Sequence, residues 1–138
     1  MMKRKKRKIS DTGISSQNFL EGGDMKTAVP LVNDIIKEIE RRILNNFMDL
    51  LVLCMLHHYP DQISGYDVIK HVQMRYRLLL SPGTVYACLY GMERDGLLRG
   101  KRNGRKRVYT LTRRGAETVR VILNARQRIL KFMSMVLS

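Results

Sequence analysis

The 138-residue sequence contains no tryptophan, only two cysteines and no long apolar run. A membrane-spanning helix needs about 18 or more consecutive apolar residues, and no segment approaches that length. The basic start, MMKRKKRK, is not followed by the apolar stretch that a secretory signal peptide requires. Cys54 and Cys88 both lie in apolar helical patterns, which favours buried thiols in a reducing compartment over a disulfide. The sequence therefore predicts a cytoplasmic protein with no membrane partner.

Acidic residues are scarce and unevenly placed. The net charge is +14, the isoelectric point is about 10.3, and no acidic residue occurs between Asp95 and Glu117. Such an excess of positive charge fits nucleic-acid binding or attachment to an anionic surface. Because the excess is concentrated in one segment, we expect that segment to contact the partner.

The residue combinations of common enzymes and metal sites are missing from the sequence. There is no glycine-rich phosphate loop after a strand, and no pair of carboxylates stands in an apolar setting. Cys54, His57 and His58 lack a second ligand pair at the spacing of a zinc site. We therefore predict neither an enzyme nor a metal site, and no cofactor.

Residues 1–24 form a basic run followed by small polar residues, a composition typical of disorder. Three interpretations stay open for this predicted N-terminal arm. It follows DNA without sequence preference, it is a solvated tail, or the native chain begins at Met25.

Residues 25–112 are predicted to form one helical DNA-binding domain with an extra N-terminal helix. An amphipathic pattern follows Pro30, and Asn45-Asn46 marks a break before an apolar core helix over residues 47–56. Ser64 and Asp67 match a capping box for the next helix. Ser81-Pro82 begins another helix and Gly96 ends it. Two helices joined by a short turn thus lead into a hairpin.

The hairpin, LRGKRNGRKRVYTL, carries six basic side chains and no acidic one. Asn103-Gly104 predicts a type I′ turn. That turn places Arg102 opposite Arg105 and Lys101 opposite Lys106, and such like-charge pairs destabilise a strand pair by up to about 1 kcal/mol each. We therefore expect the hairpin to serve a polyanionic partner, with nucleic-acid phosphate as the first candidate.

A helix of this size fits the major groove of duplex DNA, and a basic hairpin suits the backbone or minor groove. Tyr86 has an alternative role, in packing against the hairpin, and a plain solvated basic loop is the alternative for the hairpin itself. The predicted DNA-binding residues are Ser81, Gly83, Thr84, Tyr86, Tyr90, Arg94, Arg99, Lys101, Arg102, Arg105, Lys106 and Arg107.

Thr112 is predicted to cap a long last helix, residues 113–138, with apolar residues on more than one face. One face can pack on the domain, and two-fold dimerisation is the economical way to cover the other. The alternatives are a single wide stripe on its own core, or an apolar end, ILKFMSMVLS, that meets another protein or a membrane surface. The predicted dimer residues are Val119, Ile122, Arg126, Ile129, Met133 and Val136.

The stretch from Ile63 to Gly115 resembles the winged-helix domain of PadR-like transcriptional regulators. The matching marks are Gly65-Tyr66, SPGTVY over residues 81–86, Leu89 with Met92-Glu93, Asp95-Gly96-Leu97 and Tyr109-Thr110-Leu111-Thr112. The long final helix with no further domain resembles the shorter branch of the family. The resemblance implies a mainly helical winged helix-turn-helix with a two-stranded wing, acting as a homodimeric repressor on palindromic promoter DNA.

Some relatives are released from DNA by small aromatic effectors at the dimer interface. The absence of tryptophan removes the obvious stacking partner, so an effector here follows from the resemblance alone.

The sequence also departs from the family pattern, with Ala87 where many relatives have proline and with Tyr90 and Gly91 where lysine or arginine is usual. These departures shift the expected balance of DNA-binding charge away from the helix and towards the wing. They keep open the alternative of a nonspecific architectural protein that coats DNA or associates with RNA.

Overall fold

The computed structural model describes residues 25–138, with side chains from Pro30 onward. The predicted N-terminal arm, residues 1–24, lies outside the described residues. By residue contacts the chain divides into two units, one ending at Arg42 and the other running from Ile43 to Ser138.

The first helix, α1, spans Met25–Asn46 and contains Pro30. Ion pairs form between neighbouring turns of this helix, including Arg41 with Glu38 at 2.8 Å. Its apolar residues follow the predicted helical spacing, and these side chains are two-fifths to one-half exposed: Leu31, Ile35, Ile36, Ile39 and Ile43. A stripe of this kind is unusual on a solvated helix, because apolar area in water is unfavourable.

The second unit holds the core, built around α2, Met48–His58. As predicted from its nearly continuous apolar sequence, this helix is central: Val52, Leu53 and Leu56 are almost fully buried. Phe47, placed in the core helix by the sequence, instead occupies the N-cap position and is 44% exposed. Asn46 ends α1 just before it, so the predicted break is confirmed.

Helices α3, Gly65–Tyr76, and α4, Pro82–Arg94, form the helix-turn-helix. The capping box at the start of α3 is confirmed: the Asp67 backbone N–H donates to the Ser64 hydroxyl at 3.2 Å, and the Ser64 N–H donates to the Asp67 carboxylate at 2.8 Å. Arg77 ends α3 in the left-handed conformation with φ 58°. Leu78 and Leu80 of the turn are buried, which ties the two helices to one core.

A three-stranded antiparallel sheet completes the winged helix. Strands β1, Ile63–Ser64, β2, Leu98–Asn103, and β3, Lys106–Leu111, stand in the order β1-β3-β2. The sequence predicted the β2–β3 hairpin but not β1, which is too short at two residues to show a periodic pattern. Gly96, with φ 81°, ends α4 as predicted and directs the chain into β2.

The predicted turn and register of the hairpin are wrong. Arg102 pairs with Arg107, Asn103 pairs with Lys106, and Gly104 and Arg105 are the two turn residues. Only Gly104 has a positive φ, 66°, as a type II′ turn requires at its first central position. One like-charge pair therefore replaces the two expected, because glycine occupies the first turn position instead of the second.

The predicted single last helix is two helices, α5, Arg113–Asn124, and α6, Arg126–Val136. The Thr112 side chain caps α5 by accepting from the Gly115 N–H at 3.0 Å, as predicted. The break falls at Ala125, directly after Asn124, a poor helix former. Across residues 25–138, no helix is both long and apolar enough to cross a membrane.

Candidate nucleic-acid interface

The recognition helix α4 has one buried and one exposed face. Val85, Leu89 and Met92 are no more than 4% exposed and fix the helix on the core. The helix residues predicted to bind DNA are all solvent-exposed: Ser81, Gly83, Thr84, Tyr86, Tyr90 and Arg94. Ser81 takes the N-cap position, but its hydroxyl makes no capping hydrogen bond. The structure thus brings these six residues onto one open face.

Tyr86 has a packing contact as well as an exposed surface. Its ring fills the space beside Gly65 so closely that a Cβ there would overlap the ring carbons. The ring is 42% exposed despite this contact. The sequence offered packing against the hairpin as the alternative role, whereas the contact is with the first residue of α3. The space that Gly65 leaves open therefore determines where the Tyr86 ring lies.

Five of the six wing cations project into solvent. Within residues 25–138, none of these five has an acidic partner: Arg99, Lys101, Arg102, Arg105 and Lys106. Concentrated and unpaired positive charge on an exposed hairpin creates a strong local potential for anions. The wing can thus attract a polyanion without breaking an internal ion pair.

Arg107 differs from the other five wing cations. Its guanidinium donates to the Glu93 carboxylate from Nη2 at 2.5 Å and from Nε at 3.3 Å. The same carboxylate accepts the backbone N–H of Gly100 at 3.3 Å. The hydrogen bond to Glu93 raises the pKa of Arg107 above its ordinary value. Sequence reasoning missed Glu93, because the partners are 14 residues apart and no local pattern joins them.

A cavity of about 300 Å³ opens between the recognition helix and the wing. Tyr86 and Tyr90 line it from α4, and Arg102, Arg105 and Lys106 line it from the wing. Tyr109 also lines the cavity, and its hydroxyl is buried. Burial raises the pKa of the Tyr109 phenol. Phenol donors beside cations suit an anion with several acceptor oxygens.

The two cysteines lie half-buried against the core and form no disulfide. Burial, and secondarily Asp49, raises the pKa of Cys88 to about 11. Burial also raises the pKa of Cys54. Among residues 25–138, no three or more His, Cys, Asp or Glu side chains are grouped so as to hold a metal ion.

The residues predicted for the dimer interface fall into two groups. Val119 is 1% exposed and Ile122 packs against the core, so both are engaged within the chain. Further along, α6 has no buried residue. Its apolar side chains are largely exposed, with Ile129 at 43% and Val136 at 62%. Met133 is partly exposed, and Arg126 is exposed beside the break.

Comparison with known proteins gives the family. Residues 52–121 match the model of the "Transcriptional regulator PadR-like family". None of the curated proteins compared with the chain matches it significantly.

Solved structures show the same fold. A PadR family transcription regulator from hypervirulent Clostridium difficile R20291 is 26% identical, with a TM-score of 0.56 over 67% of this chain and 99% of that one. A PadR family regulator from Eggerthella lenta DSM 2243 is 20% identical, with a TM-score of 0.61 over 78% and 96%. The protein F93 from STIV, described as a winged-helix DNA-binding protein, is 18% identical, with a TM-score of 0.52 over 58% and 87%.

The family match covers half of the chain and contains the helix-turn-helix, the wing and most of α5. It agrees with the winged-helix architecture and with the resemblance carried by residues 63–115. The chain belongs to the PadR-like family of transcriptional regulators, a family of DNA-binding winged-helix proteins and not of enzymes.

Proposed function

We propose that this regulator is a homodimeric repressor that binds palindromic duplex DNA. The observation that carries the proposal is the exposed charge of the wing beside the open face of α4, since five of its cations have no acidic partner within residues 25–138. A protein that covers promoter DNA blocks access to it, so repression is the simplest outcome of binding alone. A DNA-bound regulator acts in the cytoplasm on the nucleoid.

In this proposal the N-terminal half of α4 enters the major groove. Gly83 and Thr84 are small, which lets the helix approach the bases closely. The hydroxyls of Thr84 and Tyr86 donate to bases or phosphates, and Arg94 reaches the backbone at the far end. Ser81 and Tyr90 complete the contact surface on either side.

The wing supplies most of the affinity. Arg99 and Lys101 follow the flanking backbone or minor groove, while Arg102, Arg105 and Lys106 line the cavity beside the helix. A backbone phosphate fits that cavity, because cations and phenol donors surround it. If about three cations per protomer neutralise phosphates, a dimer releases about six counterions, and binding weakens about a thousandfold for a fourfold rise in salt.

Dimerisation covers the apolar surface that the chain leaves exposed. The side chains of α6, including Ile129 and Val136, form one such surface, and the stripe of α1 forms another. Two-fold symmetry then sets the half-sites about 10 base pairs apart, centre to centre, or a multiple of that spacing.

Fluorescence anisotropy tests the proposal with DNA from upstream of the protein's own gene and a scrambled duplex of equal length, each at two salt concentrations. We expect tighter binding to the upstream duplex and a steep loss with salt for both. Sedimentation of the same protein should give a dimer. Failure to bind either duplex in dilute buffer would refute the proposal.

A second candidate is a nonspecific architectural protein that binds any duplex or RNA alike. Its supporting observation is the composition of α4, whose only basic residue is Arg94. Equal affinity for upstream and scrambled DNA in the same assay would favour this candidate over the specific repressor.

A further inference from the structure

One acidic side chain of the recognition helix is hydrogen-bonded to both strands of the wing. The Glu93 carboxylate, on α4, accepts from the Gly100 N–H and the Arg107 guanidinium, which belong to the two strands of the wing. We call Glu93, Gly100 and Arg107 the clamp. Glu93 is 29% exposed and Arg107 39% exposed, so the ion pair is partly shielded from solvent.

The strand register explains why Glu93, Gly100 and Arg107 meet at this point. Gly100 stands directly opposite Tyr109, and Arg107, two residues before Tyr109, points to the same side of the hairpin. The Arg107 guanidinium carbon lies 5.9 Å from the centroid of the buried Tyr109 ring. The cation therefore lies between an anchored aromatic ring and the carboxylate.

Gly100 provides the space that the clamp occupies. A Cβ at this position would lie 2.6 Å from both Arg107 Nε and Nη2 and 2.7 Å from Glu93 Oε1. Its φ is not in the left-handed region, so the requirement for glycine is steric and not conformational. The three atoms are the ends of flexible side chains, so a methyl group would open the clamp and leave the strand in place.

The clamp lowers the electrostatic attraction between the wing and DNA. It places a carboxylate beside the proposed DNA surface and engages a cation that could otherwise contact phosphate. A device built only for affinity would leave Arg107 without an acidic partner, as the other five wing cations are in the part of the chain that the structure describes. What the clamp provides is a fixed distance between the element that contacts phosphates and the element that contacts bases.

We infer that Glu93 is a specificity-determining residue, which uses Arg107 and Gly100 to hold the wing in register with the recognition helix. Phosphate contacts position a protein on DNA, whereas base contacts specify the sequence. A wing that is no longer hydrogen-bonded to Glu93 still attracts DNA but holds α4 less strictly at one set of bases. The inference rests on the proposed function and adds to it the residue that couples its two parts.

Glu93→Gln is the main test, with Glu117→Gln as the control that removes an equal charge from α5. The probes are a duplex selected by the wild-type protein from a randomised pool and its scrambled counterpart. We expect Glu93→Gln to reduce the affinity ratio between them about tenfold, comparable to one mismatched base pair. Freed Arg107 should also steepen the log–log salt slope by about 1 per protomer. The double variant Glu93→Gln with Arg107→Gln should return the slope to the wild-type value.

Gly100→Ala tests the clamp without changing any charge. We expect a similar loss of discrimination, while thermal unfolding shifts by only a few degrees. Amide exchange at the wing, followed by NMR without DNA, should accelerate in both Glu93→Gln and Gly100→Ala, because the wing loses its hydrogen bonds to Glu93.

The outcomes separate the inference from the proposed function. If the wild type binds no duplex, the proposed function fails, and exchange at the wing still reports whether the clamp holds. If the wild type discriminates and both variants discriminate equally well, the clamp is only structural and the inference is overturned. A Glu93→Gln salt slope equal to that of Glu117→Gln would also contradict it.

Discussion

The recognition helix and the wing are neighbours in sequence and in space, yet they are opposite in composition. Helix α4 carries one basic and one acidic residue and exposes two tyrosines. The hairpin that follows carries six basic residues and no acidic one. The difference indicates a division of labour, in which the wing supplies electrostatic affinity and the helix supplies the contacts that distinguish sequences. Glu93 belongs to the helix but contacts the wing, so it joins the two.

The largest effect should come from a substitution that destabilises the fold and so disrupts the recognition helix and the wing together. A Cβ at Gly115, in α5, would overlap the backbone carbonyl oxygen of Leu97, immediately before the wing. Since backbone cannot move as a side-chain end can, Gly115→Ala should destabilise the fold by about 2–4 kcal/mol. Thermal unfolding measures this loss. Gly83→Ala is the control, because its nearest neighbour would be Ser81 Oγ at 3.8 Å. Equal melting temperatures for the two variants would contradict the packing seen at Leu97.

The next effect should fall on affinity alone. Arg102→Gln with Arg105→Gln removes two exposed wing cations, so binding should weaken on every duplex and the salt slope should flatten by about 2 per protomer. Titrations of one duplex over a range of salt measure the slope. The matched control is Arg120→Gln with Arg128→Gln, which removes the same charge from the last two helices. If both double variants flatten the slope equally, the charge acts through the whole molecule and not through the wing.

A smaller effect should distinguish the DNA contacts of the helix from those of the wing. Tyr86→Phe keeps the ring that packs on Gly65 and removes only the exposed hydroxyl. We expect about a tenfold loss on the preferred duplex, as for one hydrogen bond to a base or phosphate, and little loss on scrambled DNA. Fluorescence anisotropy with both duplexes measures the two losses. Equal loss on both would assign the hydroxyl to a phosphate contact, and no loss on either would leave Tyr86 a packing role only.

A last prediction concerns the inner side of the recognition helix and has no expected effect on DNA binding. Because burial raises the pKa of Cys88 to about 11, only about 0.1% of this thiol should be ionised at pH 8. In a Cys54→Ser background, alkylation by iodoacetamide should therefore be about a hundredfold slower than in urea. The native rate should rise tenfold for each pH unit until the pH approaches that pKa. Fast native alkylation would show that the inner face of α4 is open to solvent.

The sequence predicted those parts of the fold that local chemistry determines. The capping box at Ser64, the cap at Thr112 and the glycine after α4 depend on residues within a few positions of each other, and all three are confirmed. The core position of α2 followed from its apolar composition. Two helices followed by a hairpin were read from the order of these elements, and the resemblance to PadR-like regulators implied the winged helix.

The remainder depends on contacts between distant residues. The Asn103-Gly104 pair fits two turns that differ by one position, and the pairing of Arg102 with Arg107 decides between them. Strand β1 exists because Ile63 and Ser64 pair with Tyr109 and Val108. The ion pair of Glu93 with Arg107 likewise exists only once helix and wing are packed together. The DNA contacts predicted at residues 81–107 and the dimer contacts of α6 stay predictions.

The claim that phosphate contacts supply most of the affinity is tested most directly by the salt dependence of wild-type binding to a single duplex. The account predicts a straight log–log plot with a slope of about −5 for the dimer, because about six phosphates are neutralised. A slope near zero would contradict it, since the exposed cations of the wing would then have no part in the contact.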